Sequence, residues 1–210
     1  PKVQAFLLKT AVLRNLRIDI CNQFLGIEDS EEILKEMTDK GFFVFVLAPG
    51  QYRYHHLVRE FLQKIGREKY DYNELHQCAS DICRNLGEIG LAIYHSLAAR
   101  DFEQAAILIT SSAHEMLQLG RLDSLQIYLN ELPEPIYTRY PDLLVYQGEV
   151  LRLKSRFNEA LKVLEQARRI FLERHEPLKL GQVSQKIALV YLDTAGESQR
   201  LSARGVKISK

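Results

Sequence analysis

The 210-residue sequence has no tryptophan, only three cysteines and no marked excess of either charge. No apolar run approaches the roughly 18 residues that a membrane-spanning helix needs, so no span is expected. Lys and Arg total 28 against 27 Asp and Glu, a formal net charge of +1. A general electrostatic affinity for nucleic acid or anionic membrane is therefore not indicated. Cys21, Cys78 and Cys83 are too few, and of the wrong parity, for a disulfide framework, which points to a reduced, cytoplasmic setting. The opening PKVQAFLLKT lacks the ordered charged start, apolar stretch and cleavage site of a secretory signal. No GxxxxGK[ST] phosphate loop occurs, so no ATP-hydrolysing machinery is expected. What is present is 46% hydrophobic residues, enough to pack one large or two small domains.

Residues 1–72 read as mixed structure. Phe6, Leu7, Ala11, Leu13, Leu16 and Ile20 recur roughly at helical spacing. Asp29-Ser30-Glu31-Glu32 then opens a second helix, either Asp29 or Ser30 serving as its cap, and Lys40-Gly41 closes it. Phe42 to Leu47 is aromatic and β-branched, Ala48-Pro49-Gly50-Gln51 supplies turn chemistry, and Tyr52 to His55 alternates like a returning strand. One β-hairpin is expected at about 42–55. Leu57, Phe61, Leu62 and Ile65 resume helical spacing and offer a packing face. Helix, helix, hairpin and helix suggest a small winged-helix-like unit.

Strand signals stop after about residue 73, and residues 73–198 read as amphipathic helices joined by short connectors. Arg100-Asp101-Phe102, Gly120-Arg121-Leu122 and Ser155-Arg156-Phe157 repeat a short pattern at irregular intervals. From Pro141 to Pro177, Gly148, Leu151, Ala160, Leu164 and Ala167 follow the small-and-large spacing of tetratricopeptide repeats. The small residues suit close helix approach, with Leu164 filling the groove. Residues 199–210 carry four basic residues and no acid, as in a basic tail or a truncated end. The fold class expected is mainly α: a winged-helix-like domain followed by an α-α superhelix of such repeats.

Few residues suggest chemistry. His76, Cys78 and Cys83 form an H-x-C-x4-C spacing with no fourth ligand, on a helical pattern, and read as buried small side chains; no metal site is expected. Asp, Glu and His are scattered without a catalytic constellation. Arg53, Arg59, Lys64, Arg67 and Lys69 are a modest basic set that raises DNA binding, but Glu60 and Glu68 interrupt it.

The run from Tyr52 to Leu62, YRYHHLVREFL, resembles the YRYHHLFRxFL signature of the large ATP-dependent LuxR-type transcriptional regulators, the MalT-like branch of the STAND signalling ATPases. Phe6-Leu7-Leu8-Lys9-Thr10 with Val12-Leu13 is similar to their FLLRTSVL stretch. Leu75-His76 through Ala105 resembles their LHRRAAEWYExxGxxxEAIxHALAAGDFExAA stretch. Gly120-Arg121-Leu122 with Leu132-Pro133-Glu134 resembles their GRLxxLxxWLxxLP segment. The resemblance runs from about residue 3 to 195.

That resemblance implies a non-catalytic regulatory and sensor segment, a winged-helix arm followed by the start of a superhelical sensor. It would couple signal binding in the superhelix to a nucleotide-binding domain of the same polypeptide outside this chain. ATP or ADP is implied for the full-length protein and no cofactor for this chain. A protein or small-molecule inducer would bind the repeats, DNA would be met only through a domain not present here, and no membrane is involved. Tyr54-His55-His56-Leu57 aligns with the MHDL motif of related STAND proteins, whose histidine touches the β-phosphate of ADP. His55 is thereby implied as the nucleotide contact of the closed state, with His56 in place of the motif's Asp. The rival reading is a freestanding helical-repeat adaptor that binds another protein.

Overall fold

The computed structural model describes residues 2–203, with side chains through Glu197. Contacts divide the chain into two compact units, one ending at Ala105 and one beginning at Ala106. The order is α1 (Lys2–Thr10), β1 (Leu16–Arg17), α2 (Ile18–Leu25), α3 (Ser30–Asp39), β2 (Val44–Ala48), β3 (Gln51–Tyr54) and α4 (His56–Arg67). There follow α5 (Tyr72–Asn85), α6 (Ile89–Ala98), α7 (Phe102–Gln118), α8 (Leu122–Asn130) and α9 (Glu134–Arg139). The described chain closes with α10 (Asp142–Leu153), α11 (Phe157–Glu173) and α12 (Pro177–Ala203). The fold is a winged helix followed by helical repeats. Of the tail at 199–210, residues up to Ala203 continue α12, and the remainder lies outside the described residues.

In the first unit, the hairpin expected at 42–55 forms between β2 and β3, and β1 adds a third antiparallel strand in the order β1-β3-β2. The apolar spacing from Phe6 to Ile20 is thus not one helix. α1 stops at Thr10, Ala11 to Leu13 bury in a turn, and Leu16 pairs with Tyr52. Tyr52 and Tyr54 face the core while Arg53 between them faces outward, as pleating requires. The Tyr54 hydroxyl lies 2.7 Å from the Thr10 hydroxyl, so a buried polar pair joins sheet to α1. Of the two expected caps of α3, Asp29 occupies the N-cap position, but its side chain makes no capping bond and pairs with Lys2, and the Ser30 hydroxyl is buried without a partner among the described residues. Tyr72 at the start of α5 donates to the Leu8 carbonyl at 2.8 Å and lies where a Cβ on Gly66 would have to go. Arg17 pairs with Glu88 beside α6. α5 and α6 therefore pack with the winged helix.

In the second unit, the small-and-large spacing has the structural meaning expected of it. Ala160, Leu164 and Ala167 are fully buried on α11, against α10. A Cβ built on Gly148 would lie 2.5 Å from Leu164 Cγ, so leucine fills the notch that glycine leaves. Glu149 is buried but paired, with Arg152 at 3.1 Å and Lys186 at 2.8 Å.

The short repeated pattern is a helix-stop device. Arg100, Gly120 and Ser155 are all in the left-handed region, at φ of 59°, 67° and 59°. In each case the next amide reaches back five residues, Asp101 N–H to the Ser96 carbonyl, Arg121 to Met116 and Arg156 to Leu151. Gly87 and His175 do the same through Glu88 and Glu176. This is the Schellman closure, and the following Phe102, Leu122 or Phe157 opens the next helix.

Candidate cationic site beside His55

The hairpin, the start of α4, the turn after α1 and Leu91 of α6 line a half-open cavity of about 730 Å³. His55 stands at its edge as the N-cap of α4. Its Nδ1 accepts from the Leu57 amide at 3.3 Å, which places the ring proton on Nε2 and leaves that N–H as a donor. The ring is held among aromatic neighbours: its centroid lies 6.4 Å from Phe43, 6.0 Å from Phe45 and 4.4 Å from His56. Phe43 itself adopts φ 52°, a strained conformation for a bulky residue, and its carbonyl accepts from the His55 amide at 2.8 Å. The N-terminal end of α4 adds a partial positive charge.

Three guanidiniums supply most of the charge. Arg53 is the cross-strand partner of Phe45, so both project from the same face of the hairpin into the cavity wall. Arg14 lies over the Tyr94 ring, its Cζ 3.8 Å from the centroid. Arg59 is fixed by three acceptors: Nε donates to the Ala11 carbonyl at 3.0 Å, and Nη2 to the Val12 carbonyl at 3.3 Å and the Tyr94 hydroxyl at 3.4 Å. Among the described residues no Asp or Glu lines the cavity. This set of donors, all cationic or N–H, suits a multiply charged oxyanion such as a nucleotide diphosphate. Sequence reasoning placed Arg53 and Arg59 in a diffuse basic set and passed over Arg14. The alternation Tyr52-Arg53-Tyr54 was the available signal, since it sets Arg53 opposite two buried rings.

The other flagged residues are dispersed. Cys83 is buried and Cys78 exposed. His76 turns instead to His95, with Nδ1 atoms 2.8 Å apart and residue exposures of 6% and 1%. Burial lowers the pKa of His76 to about 4, assisted by Arg67 and Arg59. Burial likewise lowers His95 to about 3, with His76, Arg59 and Arg14 acting in the same sense. On α4 the expected packing face is only partly used. Leu62 is buried and Ile65 half-buried, but Leu57 and Phe61 are 60% and 62% exposed. These two stand one turn apart on one face of α4, and Phe42, Phe43 and Phe45 are exposed as well.

Residues 1–73 match the family model described as the MalT winged helix domain. Over 181 residues, 84% of the chain, the sequence is 27% identical to the HTH-type transcriptional regulator MalT of Yersinia pestis (strain Pestoides F) and equally to that of Yersinia pseudotuberculosis serotype O:3. The regulator of the same description from Yersinia enterocolitica is 26% identical over 179 residues, 83% of the chain. The chain spans about a fifth of the length of these curated relatives, the matched part being 20% of each. Among the described residues no helix is long and apolar enough to cross a membrane.

Proposed function

From the MalT-like character of this chain, we propose that it is the regulatory segment of a signalling ATPase. In this reading the winged helix relays a signal received by the helical repeats to a nucleotide-binding domain of the full-length protein, in the cytoplasm. ATP or ADP belongs to that domain, DNA contact belongs to a further one, and this segment performs no catalysis. A protein or small-molecule inducer is the signal that the repeats receive.

The observation that carries the reading is the cationic cavity headed by His55. The Nε2–H of His55 is the directional donor that a β-phosphate contact needs, at the position where the family motif places its histidine. Phe43 and Phe45, exposed beside the His55 ring, give an apolar margin suited to packing against a neighbouring domain in the closed state. A hydrogen bond to a charged group contributes about 1.5–3 kcal/mol. A contact made only in the closed form shifts the balance between states by a similar amount. His55→Ala in the full-length protein should therefore release ADP roughly tenfold to a hundredfold faster and lower the inducer level needed for activation. His56→Ala measured alongside separates the two imidazoles. Normal ADP retention in His55→Ala would remove the basis of the proposal.

A further inference from the structure

The helices of the second unit are joined in two ways. α11 packs on α10 through the fit of Leu164 to Gly148, and it packs on α12 as well, with Phe171 of α11 and Val183 and Val190 of α12 in the core. Between α10 and α12 there is also a ladder of ion pairs. Asp142 and Glu149, seven residues apart on α10, meet Lys179 and Lys186, seven apart on α12. The equal spacing sets these charges two turns apart on one face of each helix, with α10 and α12 running in the same direction. Arg152 adds a third rung with the signs reversed, reaching Asp193 at 2.6 Å while also holding Glu149 at 3.1 Å. The reversal fixes the register, because a slide of two turns would set Asp193 against Glu149. Lys154, just past α10, extends the ladder to Asp123 and Gln126 of α8.

The rungs differ in their contact with water. The side chains of Asp123 and Asp193 are 89% and 43% exposed, whereas that of Glu149 is 8% exposed. Salt screens exposed charges strongly and buried ones much less. An exposed pair therefore yields first, while Glu149 cannot leave its cations without stranding a buried charge. We propose that this ladder is a conformational device set by ionic strength. At low salt it draws α8, α10 and α12 together. As salt rises, the Lys154–Asp123 and Arg152–Asp193 pairs part, α8 and the C-terminal part of α12 move off the α10–α11 pair, and Lys186–Glu149 stays as the fulcrum. The apolar contacts of α11 do not depend on charge, so the spacing changes and the fold does not. A direct pair that becomes water-bridged lengthens by about one hydrogen-bond length, ~2.8 Å. The proposal concerns the repeats alone and rests neither on the nucleotide contact nor on the relay argued above.

The test measures distances between paired spin labels on the 210-residue chain, with Cys78→Ser removing the exposed native thiol. All of the label positions are exposed. Ser124→Cys with Asn158→Cys reads α8 against the α10–α11 pair, Asn158→Cys with Ala195→Cys reads α12 against it, and Leu153→Cys with Arg169→Cys reads the pair itself. Raising sodium chloride from about 0.01 M to about 1 M shortens the screening length from about 30 Å to about 3 Å. The first two distances should lengthen by roughly 2–4 Å and the third should stay constant, with helix content by circular dichroism unchanged. Asp123→Asn should give the long distance already at low salt in the first label pair only, and Asp193→Asn in the second only. Both carboxylates are exposed, so neither substitution threatens folding. Distances that ignore salt, or asparagine variants that match the parent at low salt, would overturn the proposal. So would the same lengthening in sucrose of matched osmolality, or a third distance that grows in step with the other two.

Discussion

Acid should weaken the first unit through the imidazole pair of His76 and His95. With Nδ1 facing Nδ1 at 2.8 Å, one ring must donate and the other accept, so the neutral pair is self-satisfied. The fold holds His76 near pKa 4 and His95 near 3, below the unfolded value of about 6.5. In that interval the unfolded chain binds protons that the folded chain refuses, so stability is full above about pH 6.5 and falls as pH drops toward 4. At pH 5 an imidazole shifted to about 4 forfeits about 2 kcal/mol relative to neutral pH, a large share of a domain's total of about 5–15 kcal/mol. His95 is lowered further, so at that pH it acts in the same direction and forfeits about as much again. Urea unfolding by circular dichroism from pH 7.5 to 5 measures the loss, and imidazole carbon-bound proton shifts read each ring directly. His95→Gln should flatten the pH dependence while lowering stability at neutral pH. Ring midpoints near 6.5, or the same pH slope in parent and variant, would refute the reasoning.

Gly148→Ala places a methyl group 2.5 Å from Leu164 Cγ with no free volume around it, and should cost about 1–3 kcal/mol in urea unfolding of the second unit. Of the three thiols, Cys78 alone should react with a disulfide reagent in the native protein. Cys21 and Cys83 are buried and raised to about 12 and about 11, chiefly by that burial, so they should react only on unfolding. Counting released thiolate before and after denaturant checks this.

Much of the architecture was legible because its signals are local. The hairpin rests on a β-branched run and a Pro-Gly turn, and the α10–α11 contact on small residues at helical spacing. The two-residue strand β1 was not, since pairing of Leu16 with Tyr52 is a long-range event that leaves no periodicity. The repeated pattern around Phe102 and Phe157 was visible, but its cause was hidden. Arg100 and Ser155 stand in a backbone region usually given to glycine, which composition does not announce. Of the cationic site, His55 was marked through its motif, whereas Arg14 gains its place from Tyr94, 80 residues away. The partnership of His76 with His95 likewise depends on how α5 meets α6. Leu57 and Phe61 read as core because an apolar stripe looks the same whichever surface it faces.

The fit of Leu164 into Gly148 also sets a mechanical property. Helices that meet through interchangeable side chains can creep along one another, trading one set of weak contacts for the next. A branched side chain seated in a gap one methyl deep has no neighbouring gap to step into, because the flanking positions Gln147 and Glu149 both carry side chains. Advancing by a single residue would shift the helix about 1.5 Å, enough to drive Leu164 out of its seat against close-packed atoms. α10 and α11 therefore resist sliding and move as a stiff lever. Force applied to either helix is carried through the pair as displacement, with little of it absorbed as slippage between the two.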